Sequence, residues 1–231
     1  VLARGIDPPA TRGMREFALY LPLYNGVAKL EIGVASGGKL QPLAPRKDKP
    51  IVFYGTSIMH GACASRPGMA IPAILGRRLG VPMINLGFSG NGRMELEVGK
   101  YLCQLDAAVH VIDCLPNLQG DQVAERTIPL VRQLRAAQPE VPILLVEDRT
   151  YSNAGFFASS RARHEKSRQA LRSSFEQLRE EGDRHLYYLE GKDLIGNDGD
   201  GATDGSHPSD LGMIRYADQY EPVLRTILKQ G

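Results

Sequence analysis

The sequence contains no tryptophan, only three cysteines and no long uninterrupted apolar run. Without a run of about 18 apolar residues, no transmembrane helix is predicted. The cysteines, Cys63, Cys103 and Cys114, are odd in number and include no Cys-x-x-Cys pair. They therefore indicate neither a disulfide framework nor a zinc site. We interpret them as buried free thiols, because free cysteine behaves as a small apolar side chain.

The chain also has no large excess of either charge, since it contains 28 basic and 26 acidic residues and its formal net charge is +2. This balance provides no electrostatic argument for binding to nucleic acid or to an anionic membrane. No signal peptide is visible, and the chain begins at Val1 rather than at Met. We expect a processed or truncated N-terminus, which leaves the bacterial cytoplasm and a secreted or periplasmic location open. The oligomeric state is open too.

From residue 51 onwards, short apolar segments alternate with longer amphipathic ones, and 231 residues suffice for one sizeable domain. Strands are predicted at 51–54, 82–86, 107–112, 142–146 and 185–189. Helices are predicted at 70–79, 95–105, 122–137 and 159–181, and a last one after Pro208. Strands and helices that alternate in this way predict a three-layer α/β/α fold with a five-stranded, mostly parallel sheet.

The segment before residue 51 has a different pattern. Residues 17–24 form a β-type run, Asn25-Gly26 is a strong hairpin turn, and residues 27–34 alternate as a return strand. We predict a short β-hairpin here, followed by a linker rich in Gly, Pro and Lys over residues 35–50. Because two strands alone are marginally stable, the hairpin must pack on the main domain or belong to a larger β-module.

A serine directly after the first predicted strand is matched by an aspartate and a histidine near the C-terminus. These residues are Ser57, Asp204 and His207, and the last two are only three positions apart. A serine hydroxyl becomes a nucleophile when an imidazole removes its proton, and a carboxylate orients that imidazole. Alone, each residue has an ordinary structural interpretation as a helix cap, a turn or a surface histidine. Together they predict a catalytic triad with Ser57 as nucleophile, His207 as general base and Asp204 as its orienting acid.

Two further segments supply donors for a developing oxyanion. The glycine-rich run 87–92 follows the second predicted strand, and Asn117 follows the third. We predict that the backbone N–H groups of Ser57 and Gly90 and the side-chain amide of Asn117 form an oxyanion hole. Such donors stabilise charge that appears only in the transition state.

These segments, in this order, resemble the SGNH hydrolases, also called the GDSL esterase/lipase family. The runs GACASRPGM, INLGFSGNGRME, DCLPN and DGSHPSDLG resemble its bacterial subfamily that carries an N-terminal β-sandwich module. The resemblance implies a flavodoxin-like fold and assigns the four name-giving roles to Ser57, Gly90, Asn117 and His207. It also implies that residues 1–45 are the remnant of a largely absent β-module with its linker, and that residues 46–231 form the catalytic domain. Two departures are Thr56 in place of the Asp of the GDS motif and Pro116-Asn117-Leu118 in place of Gly-Asn-Asp.

Other polar residues have weaker patterns. His60, Arg66 and Arg93 are candidates for substrate binding, although both arginines can equally tie loops together. The acidic run 198–201 lacks the spacing and the distal Glu of an EF-hand loop, and we interpret it as a flexible turn. No histidine has the spacing of a metal ligand, and triad chemistry needs neither a metal nor an organic cofactor.

We therefore expect a serine esterase that removes small acyl groups through an acyl-enzyme. Since relatives of this family often deacetylate carbohydrates, an acetyl ester on a sugar is the favoured substrate that the resemblance implies. An acyltransferase, a lipase or a thioesterase would use the same triad. A catalytically inactive carbohydrate-binding module is the alternative of another class.

Overall fold

The computed structural model describes residues 15–230, in which strands and helices alternate from residue 51 onwards. The strands are β1 (Ile51–Gly55), β2 (Met83–Gly87), β3 (Val109–Asp113), β4 (Ile143–Val146) and β5 (Leu186–Leu189). The helices are α1 (Ser57–His60), α2 (Ile71–Leu79), α3 (Leu96–Leu102), α4 (Gly120–Ala137), α5 (Ala158–Glu180) and α6 (Asp210–Gln230). Each predicted strand and helix is present within a few residues of its predicted bounds, and α1 is an additional short helix.

All five strands run parallel, in the order β2-β1-β3-β4-β5. Every residue of β1 and β3 is buried, as expected for interior strands that helices cover on both faces. The prediction of a five-stranded parallel sheet is confirmed. The chain runs outward from β1 to β2 and then crosses back to β3. The strand order therefore reverses between β1 and β3, where their carboxyl ends open a crevice.

Alternate side chains of β1 enter two separate apolar layers, one on each face of the sheet. Ile51 and Phe53 belong to a cluster with residues of α2 and α6. Val52 and Tyr54 belong to the opposite cluster, with residues of α4 and α5. Helices α2 and α6 pack against each other, as do α4 and α5. This arrangement confirms the three-layer α/β/α architecture.

The predicted hairpin over residues 17–34 is wrong, because no residue between 15 and 50 belongs to a strand. Apolar side chains that the two strands would have buried, such as Leu19 and Ile32, are exposed. A turn signal such as Asn25-Gly26 closes a hairpin only when the paired strands can bury an apolar face. Two strands without a covering layer are marginal. The first run contacts the domain through Leu23 and Tyr24 at His60, whereas residues 27–34 of the return run are exposed.

Within residues 15–230, no helix combines the length and the hydropathy that crossing a bilayer requires.

Asp113, the last residue of β3, carries a fully buried carboxyl group. One of its oxygens accepts a hydrogen bond from the Tyr220 hydroxyl at 2.5 Å, and the other has no partner among the described residues. Burial raises the pKa of Asp113 to about 7, although the Tyr220 hydrogen bond opposes the rise. In the unfolded chain this group ionises near pH 4. Its contribution to folding stability is therefore fully present below about pH 4 and is lost as the pH rises to about 7.

We expect Asp113→Asn to remove this part of the pH dependence, because Asn keeps an acceptor for Tyr220 and cannot ionise. A pKa raised to about 7 corresponds to at most about 4 kcal/mol of unfolding free energy. Urea unfolding should show that, between pH 4.5 and pH 8, the free energy of unfolding falls by a few kcal/mol more in the wild type than in the variant. Asp121→Asn is the matched control, since Asp121 is exposed on α4 and pairs only with Lys166 at the surface. Equal pH slopes for the wild type and Asp113→Asn would contradict the expectation.

Candidate active site

Ser57 lies at the carboxyl end of β1 as the first residue of α1. Thr56 caps this helix, and its side-chain oxygen accepts a hydrogen bond from the Ile58 N–H. Gly61, in the left-handed region with φ +103°, ends the helix after one turn. The Ser57 N–H belongs to the first turn and therefore has no partner inside the helix. The serine hydroxyl and its own amide thus lie together at the crevice edge of the sheet.

A chain of hydrogen bonds joins Ser57 to the loop before α6, 150 residues further along the sequence. Ser57 Oγ lies 2.9 Å from His207 Nε2, and His207 Nδ1 lies 2.7 Å from Asp204 Oδ2. A carboxylate on Nδ1 favours the tautomer that protonates this nitrogen and leaves Nε2 free to accept the serine proton. The structure therefore brings the three predicted triad residues together in the order that the chemistry requires.

The carboxylate of Asp204 is held in place by its own loop. Its Oδ1 accepts hydrogen bonds from the backbone N–H groups of Ser206 at 2.9 Å and His207 at 2.7 Å. Burial would raise the pKa of Asp204, but the hydrogen bonds from His207 and Ser206 lower it to about 2. Gly205, with φ +86°, provides the left-handed residue that this tight turn needs. Asp204 is therefore ionised at neutral pH and can stabilise an imidazolium on His207.

The loop after β2 brings Gly90 to the same edge of the sheet. Its first residue, Phe88, donates its N–H to the carbonyl of Gly55 at 2.9 Å. The N–H groups of Asn91 and Gly92 both donate to the Phe88 carbonyl at 2.8 Å. Gly90 itself has φ +73° and is exposed, and its N–H has no acceptor among the described residues. This amide is available to a ligand.

Asn117 ends a 3₁₀ turn, Leu115–Asn117, that directly follows β3. Its side-chain nitrogen Nδ2 is buried and has no hydrogen-bond partner within residues 15–230. Buried amide groups are almost always paired, so an unpaired one at a catalytic crevice indicates a donor kept for a bound species. The sequence predicted that Asn117 lies just past the third strand, and the structure has it there. The structure also shows that its side-chain amide is unpaired among the described residues.

The three candidates for substrate binding differ in how many hydrogen bonds and ion pairs their side chains make with other protein groups. His60 Nε2 lies 2.5 Å from the Leu23 carbonyl oxygen, and its ring stacks on Tyr24. Arg66 donates to Ser65 Oγ and pairs with Asp210 at 3.5 Å. The side chain of Arg93 is exposed and makes no hydrogen bond or ion pair among the described residues. His60 and Arg66 therefore link segments around the crevice, and Arg93 is the freest of the three.

The acidic run 198–201 is neutralised by an arginine. Both carboxylate oxygens of Asp198 accept from Arg215, at 2.7 and 2.5 Å, and this contact holds the pKa of Asp198 well below its ordinary value. Within residues 15–230, no three His, Cys, Asp or Glu side chains are grouped so that they can hold a metal ion.

Sequence reasoning missed three charged residues beside the active-site loops, namely Asp148, Arg149 and Arg163. Asp148 and Arg149 are buried directly after β4, and Arg163 reaches them from α5. One signal was present in the sequence, since the run Glu147-Asp148-Arg149 follows an apolar strand. Charged side chains at the carboxyl end of an interior strand are unexpected unless they are paired or functional.

The fold and the Ser–His–Asp hydrogen-bond chain are those of a serine hydrolase built on a parallel α/β sheet. The sequence model of the GDSL-like lipase/acylhydrolase family matches residues 48–225, and that of the N-terminus of SGNH-hydrolase-type esterases matches residues 6–40. The chain belongs to the GDSL-like lipase/acylhydrolase family. The resemblance seen in the sequence is confirmed. The division into residues 1–45 and 46–231 stays a prediction.

Several solved structures are similar to this chain. A GDSL-like lipase from Bacteroides ovatus is 39% identical over 79% of this chain and 54% of its own, with a TM-score of 0.76. A salicylyl-acyltransferase from a tetracycline biosynthetic pathway is 19% identical over 80% of this chain and 56% of its own, with a TM-score of 0.68. A family two carbohydrate esterase from Clostridium thermocellum, in complex with cellohexaose, is 17% identical over 81% of this chain and 67% of its own, with a TM-score of 0.63.

The last two structures show the shared fold alone. This chain spans about half the length of the Bacteroides ovatus protein and of the acyltransferase. No curated protein matches it.

Proposed function

We propose that this protein hydrolyses carboxylic esters through an acyl-enzyme formed on Ser57. The observation that carries this proposal is the hydrogen-bond chain from Ser57 through His207 to Asp204. Ser57 Oγ attacks the acyl carbonyl while His207 Nε2 takes its proton, and Asp204 stabilises the resulting imidazolium. His207 then protonates the leaving alcohol, and the C–O bond of the ester breaks. In the second half, His207 takes a proton from water, which attacks the acyl-enzyme and releases the acid and Ser57.

We infer that the oxyanion of both tetrahedral intermediates forms beside three donors that have no acceptor within residues 15–230. These donors are the N–H groups of Ser57 and Gly90 and the side-chain amide of Asn117, which lie past the ends of β1, β2 and β3. Because they are unpaired in the described structure, they can stabilise developing charge without first breaking a protein hydrogen bond. No step of this mechanism uses a metal or an organic cofactor.

For the substrate, we propose a small acyl group, such as acetyl, on a carbohydrate. Polar and aromatic side chains border the crevice. The ring of Tyr24 stacks on His60 with 4.0 Å between centroids, and its hydroxyl lies 3.4 Å from Ser89 Oγ. Tyr24 is 54% exposed beside the Gly90 loop, and it offers a sugar both an aromatic face and a hydroxyl. Structural neighbours named as an acetyl esterase and as carbohydrate esterases support this choice of class.

An acyltransferase is the second candidate, because the same triad transfers the acyl group when an alcohol replaces water. The fold shared with a salicylyl-acyltransferase supports this candidate. Product analysis with an added alcohol separates the two activities, since a transferase forms the new ester in preference to the free acid. An inactive carbohydrate-binding module would not react with a fluorophosphonate, whereas the proposed enzyme is labelled on Ser57.

We expect acetyl esters to be hydrolysed with a higher kcat/KM than octanoyl esters. Residues 87–93 and 149–155 contribute mostly Gly, Ser, Asn and Arg, and the large apolar side chains exposed in or next to these two loops are Phe88, Phe156 and Phe157. A groove that buried the acyl chain would add about 0.8 kcal/mol for each CH₂ group. A series of aryl esters from acetyl to octanoyl, measured below KM, tests this expectation. A kcat/KM that climbs steadily with chain length would instead favour a lipase or a long-chain acyltransferase.

A further inference from the structure

Asp148 follows β4 and holds a fully buried carboxylate between two arginines. Arg149 Nη1 donates to one carboxylate oxygen, and Arg163 Nη1 donates to the other at 2.8 Å. His164 Nδ1 lies 3.4 Å from the second oxygen. Burial alone would raise the pKa of Asp148, but Arg149, His164 and Arg163 hold it well below its ordinary value. An ionised carboxylate is therefore enclosed between two cations, and each cation extends to a different loop.

The first cation, Arg149, holds the loop that carries the triad acid and base. Its side chain is only 2% exposed. Its Nε donates to the Ser206 carbonyl at 3.0 Å, and its Nη2 donates to the Ser206 hydroxyl. Ser206 lies between Asp204 and His207 in the sequence. Arg149 thus fixes the residue that joins the acid to the base, without contacting either catalytic side chain.

The second cation, Arg163, holds the turn that carries Asn117. Its Nη2 donates to three backbone carbonyls, those of Leu115 at 3.2 Å, Pro116 at 2.9 Å and Leu118 at 3.2 Å. These carbonyls surround Asn117 in the sequence on both sides. The turn also has its own backbone hydrogen bonds, from the Asn117 N–H to Cys114 and from the Leu118 N–H to Leu115. The planar guanidinium of Arg163 adds a side-chain contact that joins all three carbonyls.

We propose that Arg149 and Arg163 are positioning residues for two different parts of one reaction, and that the buried Asp148 carboxylate anchors both of them. Arg149 acts through Asp204 and His207 on proton transfer, and Arg163 acts through Asn117 on the oxyanion. The proposal rests on the ester hydrolase function proposed above. It explains why the chain encloses a carboxylate and two guanidinium groups at considerable desolvation cost.

If the proposal is correct, each arginine is energetically coupled to its own catalytic group, Arg149 to the Asp204–His207 pair and Arg163 to Asn117. Arg→Lys variants keep the positive charge that Asp148 needs but lose the planar, multi-donor geometry. Because small displacements of catalytic groups cost up to about a hundredfold in rate, we expect each variant to lower kcat by about tenfold with little change in KM. Two residues that act through one another show non-additive losses, whereas independent ones add.

The experiment is a pair of double-mutant cycles on kcat for an aryl acetate. Arg163→Lys should cost about tenfold in the wild type and in Asp204→Asn, but less than about twofold in Asn117→Ala. Arg149→Lys should cost about tenfold in the wild type and in Asn117→Ala, but less than about twofold in Asp204→Asn. A merely structural role would lower kcat equally in every background.

Arg168→Lys is the matched control. Arg168 lies on α5 like Arg163 and donates to the Asp148 carbonyl at 3.0 and 2.7 Å and to the Thr150 hydroxyl at 2.8 Å. Among the described residues, it makes no hydrogen bond to the Asn117 turn or to the loop that carries Asp204 and His207. We expect Arg168→Lys to lower the melting temperature about as much as Arg163→Lys does, while its kcat stays within about twofold of the wild type. If Arg149→Lys fails to fold, Ser206→Ala replaces it in its cycle. If Arg163→Lys fails to fold, Arg163→Gln replaces it. Additive losses in all backgrounds, or a loss in the control equal to that of Arg163→Lys, would overturn the proposal. A wild type without esterase activity would instead refute the proposed function.

Discussion

Ser57→Ala is expected to lower kcat for ester hydrolysis by about five to six orders of magnitude while the fold stays intact. The triad acts as a unit, so without the nucleophile His207 has no serine proton to accept and Asp204 has no imidazolium to stabilise. Only the oxyanion donors and substrate binding remain, and they account for the small residual rate. Steady-state hydrolysis of an aryl acetate, with circular dichroism and thermal melting to verify folding, measures the effect.

The matched control for this loss is Ser173→Ala, an exposed serine in the middle of α5. Its kcat and melting temperature should equal those of the wild type, because a surface Ser→Ala change in a helix affects neither packing nor the site. Fluorophosphonate should label the wild type and the control but not Ser57→Ala. More than about a tenth of the wild-type kcat in Ser57→Ala would mean that another residue is the nucleophile.

Asn117→Ala is expected to lower kcat by about a hundredfold to a thousandfold with little change in KM. The unpaired Nδ2 of Asn117 is free to donate to the oxyanion, which carries its full charge only near the transition state. A donor used mainly there contributes to kcat and not to ground-state binding. Kinetics with an aryl acetate over a range of concentrations separate the two parameters.

Asn197→Ala provides the comparison for Asn117, because Asn197 is exposed and, among the described residues, its side chain donates to Asp193 alone. Its kinetic parameters should be unchanged. If Asn117→Ala instead raised KM and left kcat unchanged, Asn117 would be a residue that binds the substrate before the reaction. The oxyanion would then depend on the two backbone N–H groups of Ser57 and Gly90.

The alternating elements of this chain were predictable because their signals are local. Apolar runs such as 143–146 and amphipathic runs such as 120–137 retain their periodicity in any context that buries one face. The hairpin over residues 17–34 had equally clear local signals, yet it does not form in the described structure. Strand pairs depend on a neighbouring surface, and local sequence does not report whether that surface exists.

The sequence by itself determined the class of fold, because periodicity is local, and it predicted Ser57 as the nucleophile and Asp204–His207 as the acid–base pair from residues after a strand and close along the chain. Tertiary structure alone decided that Ser57 meets His207 across 150 residues, and that Asn117 keeps an unpaired amide. It also decided the partners of Asp148, since a charged run after a strand does not show what it pairs with. These properties depend on long-range contacts and on burial, which are set only when the sheet and its covering helices pack together.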